Sequence, residues 1–155
     1  MDLNDLIEVS AVMPALKANS KKQLLQLLAE KAAAVTGLPE REVFDTILQR
    51  ERLGSTGVGN GIAIPHGKLA GISHITGIFA RLETAVDFES LDDQPVDLVF
   101  LLLAPESAGA DHLKALSRIA RVLRDPDTVA KIRATREADA IHTLLAQVPA
   151  SSPSA

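Results

Sequence analysis

Few side chains in this sequence are suited to chemistry. There are four histidines and no cysteine, tyrosine or tryptophan. Thiolate nucleophiles, disulfides and cysteine-based zinc sites are therefore excluded. Location sorts the histidines. His142 lies between Ile141 and Leu144 in a helical pattern, and His74 sits in a turn after Gly71-Ile72-Ser73; surface or packing roles suit both. His66 is set differently. Pro65 fixes its own φ at about −65° and biases Ile64 toward an extended backbone. Gly67 leaves room beside the ring, and a glycine-rich stretch lies upstream. An imidazole with an ordinary pKa of about 6.5 is largely neutral at cytoplasmic pH and keeps one ring lone pair for attack. A plain turn histidine after a strand fits the same local features.

Two residues are candidates to join it. Arg50, with Arg52 beside it, ends a helical stretch just before the glycines. Its guanidinium fork suits phosphoryl oxygens, although a cation at a helix C-terminus is also favourable as simple surface charge. His112 opens a helical segment after 105–110, with Asp111 expected as the N-cap. A histidine at a helix N-terminus can donate to an anion held there. In an open α/β sheet the end of a strand and the start of the next helix form the usual site edge, which makes 105–112 a sensible neighbour for His66. Gly54, Ser55, Thr56, Gly57, Gly59 and Asn60, with Gly67 beyond the histidine, form a candidate phosphate-binding loop of backbone N–H donors. A tight structural connection would use the same glycines.

Other chemistries find less support. No Gly-Lys-Ser/Thr follows at Walker A spacing, and glycines at 54, 57, 59 and 61 do not make a GxGxxG fingerprint. His66, His112 and Asp111 lack the i, i+4 spacing of a helical zinc pair, so no metal or other cofactor is expected. Asp92 and Asp93 are adjacent and do not flank one substrate. No GxSxG elbow supports a serine triad.

The elements that must position these groups are legible in outline. A strand is expected at 12–16, on a sheet edge because Pro14 cannot donate a ladder hydrogen bond. Asn19 or Ser20 caps a helix running to about Val35, stopped by Gly37. Pro39 opens a second helix over 39–52. Short strands follow at 62–64, 75–83 and 86–88. The nearly continuous apolar run 96–104 reads as a central strand covered on both faces. Helices are expected at 110–124, 126–134 and 137–147, and a disordered tail at 149–155. On the first of these helices Lys114, Arg118 and Arg121 recur at i, i+4, i+7, as a solvated face or a dock for an acidic partner. The fold class is α/β: a single three-layer α/β/α sandwich around a mixed sheet over residues 1–148.

Composition narrows the partners. The chain has 155 residues, 46% hydrophobic and 23% charged, with 16 Lys and Arg against 20 Asp and Glu for a net charge of −4. Ordinary globular usage argues against wholesale disorder. Mild acidity and only four aromatic residues, all Phe, argue against nucleic-acid and anionic-membrane binding. The N-terminal Met1-Asp2-Leu3-Asn4-Asp5 is acidic where a signal peptide is basic, and the greasiest run, 98–104, is far short of the roughly 20 residues needed to span a bilayer. A cytoplasmic protein without membrane insertion is expected.

The run Arg50-Glu51-Arg52-Leu53-Gly54-Ser55-Thr56-Gly57-Val58-Gly59-Asn60-Gly61-Ile62-Ala63-Ile64-Pro65-His66-Gly67-Lys68 strongly resembles the active-site signature of type-2 enzyme IIA domains. These belong to the phosphoenolpyruvate-dependent sugar phosphotransferase system, in its fructose/mannitol/nitrogen-regulatory branch, and the nitrogen-regulatory members are the most similar. The segment Asp111-His112-Leu113-Lys114-Ala115-Leu116-Ser117 resembles the family's downstream segment, and the likeness runs from about residue 3 to 147. The resemblance implies that His66 accepts a phosphoryl group from the phosphohistidine of an HPr-like carrier, with Arg50 and His112 steadying its oxygens. It implies a mixed sheet sandwiched by helices, and a regulator whose targets are other proteins such as transporters or sensor kinases. The alternative is a sugar-specific component passing phosphate to a separate IIB during uptake. Length leaves no spare residues for an attached IIB or membrane IIC segment, so a free-standing protein is expected.

Overall fold

The computed structural model describes residues 3–147; the tail expected at 149–155 lies outside them. Ten consecutive residues, Val96–Pro105, form the central strand β6, and every side chain from Leu98 to Ala104 is fully buried. That burial follows from the unbroken apolar run, which has no polar face to offer to water. Around it the strands are β1 (Val12–Leu16), β2 (Gly57–Gly59), β3 (Ile62–Ala63), β4 (His66–Leu69) and β5 (Thr76–Val86). The sheet order is β1-β5-β6-β3-β2, with β4 also paired to β6. The β5–β6 and β2–β3 pairs are antiparallel, whereas β1–β5, β3–β6 and β4–β6 are parallel. It is an open, mixed sheet, and Pro14 lies on its edge strand as the sequence suggests.

The helices are α1 (Lys21–Thr36), α2 (Glu40–Arg52), α3 (Ala110–Val122), α4 (Pro126–Arg133) and α5 (Ala138–Ala146). Ser20, rather than Asn19, caps α1 by accepting the Gln23 N–H, and Gly37 ends it at φ +80°, a conformation that favours glycine. Pro39 is the N-cap of α2 rather than its first helical residue. Asp111 is not the cap of α3: the N-cap is Gly109, two residues earlier, which leaves Asp111 in the first turn, where its charge suits the helix dipole. α1 packs on α2 and β5, α2 on β4, α3 on β6, and α5 on β1 and α4. This brings the C-terminal end of α2 and the first turn of α3 to the same end of the sheet as β4.

Two strands differ from expectation. β5 runs unbroken to Val86, so no separate strand exists at 86–88. β2 and β4 are additional, in segments whose glycines mask the strand pattern. Residues 62–69 keep one register along β6: Ile62 pairs with Leu98, His66 with Leu102 and Leu69 with Pro105. Pro65 interrupts the ladder without breaking it, because its carbonyl accepts the Leu102 N–H at 2.9 Å.

Candidate active site

His66 opens β4, half-buried, and its ring is fixed from two sides. Nδ1 lies 2.9 Å from the Ile64 carbonyl. A carbonyl only accepts, so Nδ1 carries the hydrogen and Nε2 keeps the lone pair. That lone pair faces Arg50, whose Nε–H donates to it at 3.3 Å. Arg50 in turn donates from Nη1 to the Gly54 carbonyl at 2.9 Å, just past the end of α2. The guanidinium is thus braced against the turn that follows its own helix, with no carboxylate paired to it among the described residues.

His112, on the first turn of α3, stands edge-on to His66 with ring centroids 5.6 Å apart. It is 8% exposed, and its Nε2 is buried without a hydrogen-bond partner among the described residues. Burial, then the nearby His66 ring and Lys68 ammonium, push its imidazole below its ordinary pKa. His112 is therefore neutral near pH 7. Together with Thr46, Gln49, Arg50, Arg52, Leu53, His66, Gly67 and Lys68 it lines an open cleft of about 570 Å3. The space expected beside Gly67 is taken by α2: a Cβ there would come within 2.8 Å of Thr46 Cγ2. Glycine at 67 lets helix and strand approach closely.

The residues of the candidate phosphate-binding loop sit elsewhere. The Gly54 N–H donates to the Glu51 carbonyl, Thr56 N–H to the Glu51 carboxylate, Gly57 N–H to Ser55 Oγ and Asn60 N–H to Asp92 Oδ2. Ser55 Oγ–H reaches the Phe88 carbonyl at 2.9 Å. Asn60, at φ +58°, and Gly61, at φ +81°, turn the chain from β2 into β3. The Asn60 carbonyl accepts from Arg133, which also pairs with Asp97. Of the predicted loop only Gly67 lines the cleft; Gly54 contributes through its carbonyl.

Sequence reasoning passed over Glu51, the most consequential buried charge. Its side chain is 3% exposed and pairs with Lys21 Nζ at 3.0 Å, while Thr56 donates to it from both N and Oγ1. Thr56 then accepts the Ile64 N–H through its carbonyl, and Ile64 is the residue that fixes His66 Nδ1. One hydrogen-bonded path thus joins α1, the end of α2 and the His66 ring. The signal was an acidic residue in the last turn of a helix, where a carboxylate opposes the dipole and needs a specific partner. His142 and His74 stay apart from the cleft: His142 Nε2 meets the Ile7 carbonyl at 2.8 Å, and His74 is exposed. Among the described residues no group of three or more His, Asp or Glu is placed to hold a metal, and no helix is long and apolar enough to cross a membrane.

Residues 5–148 match the family described as "Phosphoenolpyruvate-dependent sugar phosphotransferase system, EIIA 2". The chain is 62% identical over 152 residues to a nitrogen regulatory protein of Bradyrhizobium diazoefficiens, covering 98% of this chain and 99% of that one. It is 38% identical over 146 residues to a nitrogen regulatory protein of Escherichia coli, covering 94% and 90%. The crystal structure of nitrogen regulatory protein IIA-Ntr from Neisseria meningitidis superposes with a TM-score of 0.88 at 33% identity, covering 92% of this chain and 98% of that one. The fold, the matched length and the identities agree: this chain belongs to the EIIA type 2 family of the phosphoenolpyruvate-dependent phosphotransferase system.

Proposed function

We propose that the protein is a regulatory phosphocarrier of the nitrogen branch, in which His66 Nε2 accepts a phosphoryl group from an HPr-like carrier. The observation that carries this reading is the pinned tautomer: Nδ1–H is held by Ile64, so Nε2 keeps the lone pair and turns it, with Arg50 donating to it, toward a cleft lined by cations. Similarity to relatives named nitrogen regulatory proteins supports the branch.

Transfer begins when the donor's phosphohistidine enters the cleft and the Arg50 Nε–H releases the His66 lone pair. Nε2 then attacks phosphorus in line. The N–P bond of the donor breaks, and its electron pair returns to the donor's ring nitrogen. The transition state is loose, so the protein supplies alignment and charge stabilisation. As positive charge develops on the His66 ring, the Ile64 carbonyl stabilises it through Nδ1–H. The Arg50 guanidinium lies beside the incoming oxygens, and a phosphoryl oxygen gives His112 Nε2 the partner it lacks. The arriving negative charge also raises the His112 pKa toward the protonated donor form. On this reading Gly54, Ser55, Thr56, Gly57, Gly59 and Asn60 hold Arg50 and β3 in place, and Gly67 admits α2. Both sides of the reaction are N–P bonds, which keeps the step reversible. The phosphate then changes the charge of the docking surface and with it the choice of regulated protein.

The test is reconstitution. Phosphoenolpyruvate, enzyme I and the HPr-like carrier should place an acid-labile, alkali-stable phosphate on His66, mapped by mass spectrometry. A protein left unlabelled, or labelled elsewhere, refutes the reading. Rapid onward transfer to a sugar-specific IIB would instead assign it to uptake.

A further inference from the structure

Thr56 and Ile64 lie opposite each other, one step beyond the Gly57–Ala63 pair of antiparallel β2 and β3. The Ile64 N–H donates to the Thr56 carbonyl at 3.0 Å, which makes this a hydrogen-bonded position of the ladder. At such a position the two residues ordinarily exchange both bonds, and the Thr56 N–H belongs on the Ile64 carbonyl. Here the exchange is half made. The Thr56 N–H turns instead to the Glu51 carboxylate at 3.2 Å, and the Thr56 hydroxyl donates to the same group. The Ile64 carbonyl meets the His66 Nδ1–H at 2.9 Å. Glu51 itself is buried in the last turn of α2, with Lys21 Nζ of α1 at 3.0 Å. A carboxylate there opposes the helix dipole and is costly to desolvate, so α2 alone gives no reason for it.

We infer that Glu51 is a positioning residue for phosphoryl transfer: by occupying the Thr56 N–H it leaves the Ile64 carbonyl to the His66 ring hydrogen, and so selects Nε2 as the nucleophile. The inference rests on the phosphoacceptor reading above and adds how the attacking nitrogen is chosen. Glu51 touches neither the ring nor the phosphorus; it acts through the Thr56 and Ile64 peptide groups. Without its carboxylate the Thr56 N–H returns to the Ile64 carbonyl. That oxygen can accept twice, but a ladder donor aligns it with the sheet and competes with the ring. The ring then loses its preference for Nδ1–H. With the hydrogen on Nε2, the lone pair sits on Nδ1 against the Ile64 oxygen, where two acceptors repel and Nε2 has nothing to attack with.

The experiment reads the ring directly. Nitrogen NMR of isotope-enriched, unphosphorylated protein, with the His66 signals assigned against His66→Ala, shows which ring nitrogen is protonated at a pH well above the imidazole range. Transfer from the phosphorylated HPr-like carrier at varied donor concentration gives kcat and donor KM. Wild type should hold the hydrogen on Nδ1. Lys21→Met/Glu51→Met replaces the buried ion pair by apolar side chains, a change that folds tolerate, and removes the acceptor for Thr56. It should gain the Nε2–H form, with kcat lower by about three- to tenfold as the share of reactive rings falls, and donor KM unchanged. Glu51→Met alone, in which Lys21 keeps Glu89, is run alongside and should behave the same way. Glu51→Gln retains an acceptor for the Thr56 N–H and should restore the Nδ1–H form and most of kcat. Thr56→Val loses the hydroxyl bond but keeps its N–H on the carboxylate, and should leave the ring signals at wild type. An ion pair that only stabilises the fold would lower the melting temperature and move none of these signals. Folded Met variants that keep Nδ1–H overturn the inference whether or not kcat falls; Arg50 then selects the nitrogen, and the phosphoacceptor reading stands. Wild-type protein that holds Nδ1–H yet is not labelled by the carrier refutes the phosphoacceptor reading itself, and this inference falls with it.

Discussion

In the 54–61 segment donors and acceptors are matched: Gly54, Thr56, Gly57 and Asn60 each have a partner for the backbone N–H, and Ser55, Glu51, Asp92 and Arg133 supply or receive the bonds. A few residues on, the cleft is the opposite. Arg50 faces a lone pair instead of a carboxylate, His112 Nε2 has no partner, and Lys68 and Arg52 are exposed without counter-ions among the described residues. Satisfied polar groups fix a backbone; unsatisfied ones gain when a ligand arrives. The comparison separates a scaffold from the surface it presents.

The sharpest break is at the acceptor. His66→Ala should abolish labelling by the carrier while the circular dichroism spectrum and melting curve stay close to wild type, because the ring is only half-buried. Next comes Arg50→Ala, expected to slow transfer by roughly 10²–10³, the usual loss when one charge-stabilising donor is removed. Arg50→Lys should recover little, since a point ammonium cannot both reach the Gly54 carbonyl and present an N–H to His66. Single-turnover rates at saturating donor read both.

Changes in the scaffold should move stability more than chemistry. A Cβ at Gly57 would collide with Ser90 Oγ, so Gly57→Ala is expected to cost about 1–3 kcal/mol in urea melts with transfer per folded molecule falling far less than in Arg50→Ala. Thr56→Val removes the hydroxyl donor to buried Glu51 and should cost about 1–3 kcal/mol, whereas Thr56→Ser keeps the donor and should be near neutral. If Thr56→Val proves as slow in transfer as Arg50→Ala with stability unchanged, the division between scaffold and surface fails.

The smallest effect is in pH. His112 has its pKa lowered in the folded state, so below the unfolded value of about 6.5 the unfolded chain binds the extra proton. Stability contributed by neutral His112 is complete above that value and declines as pH falls toward the depressed folded pKa. His112→Gln should flatten the slope of stability in that window.

Much of the scaffold was legible. Gly37 stopping α1, the apolar run of β6 and the helical repeats of α3 are local signals, and the element types they imply are the ones found. β2 and β4 were missed because Gly57-Val58-Gly59 and His66-Gly67-Lys68 carry too few apolar residues to show period 2; they are strands because β3 and β6 are there to bind them. The separate strand at 86–88 failed for a related reason, since β5 carries its ladder on to Val86 against Val96.

What the amino-acid order settled by itself was the inventory: an imidazole after a proline, an arginine at a helix end, a second histidine opening a helix, and no thiol. Such properties belong to side chains and to the few backbone angles that proline and glycine impose. Their assembly was decided only in three dimensions. Positions 50, 66 and 112 meet because β4 lies in register along β6 while α2 and α3 pack beside it. Which ring nitrogen is free depends on where the Ile64 carbonyl falls, and which loop N–H groups remain free depends on acceptors at 51, 55 and 92. Arg50 and His66 are 16 residues apart and Asn60 and Asp92 are 32 apart, beyond any local pattern. Ile64 is only two residues from His66, but its carbonyl is placed by strands that lie along β6.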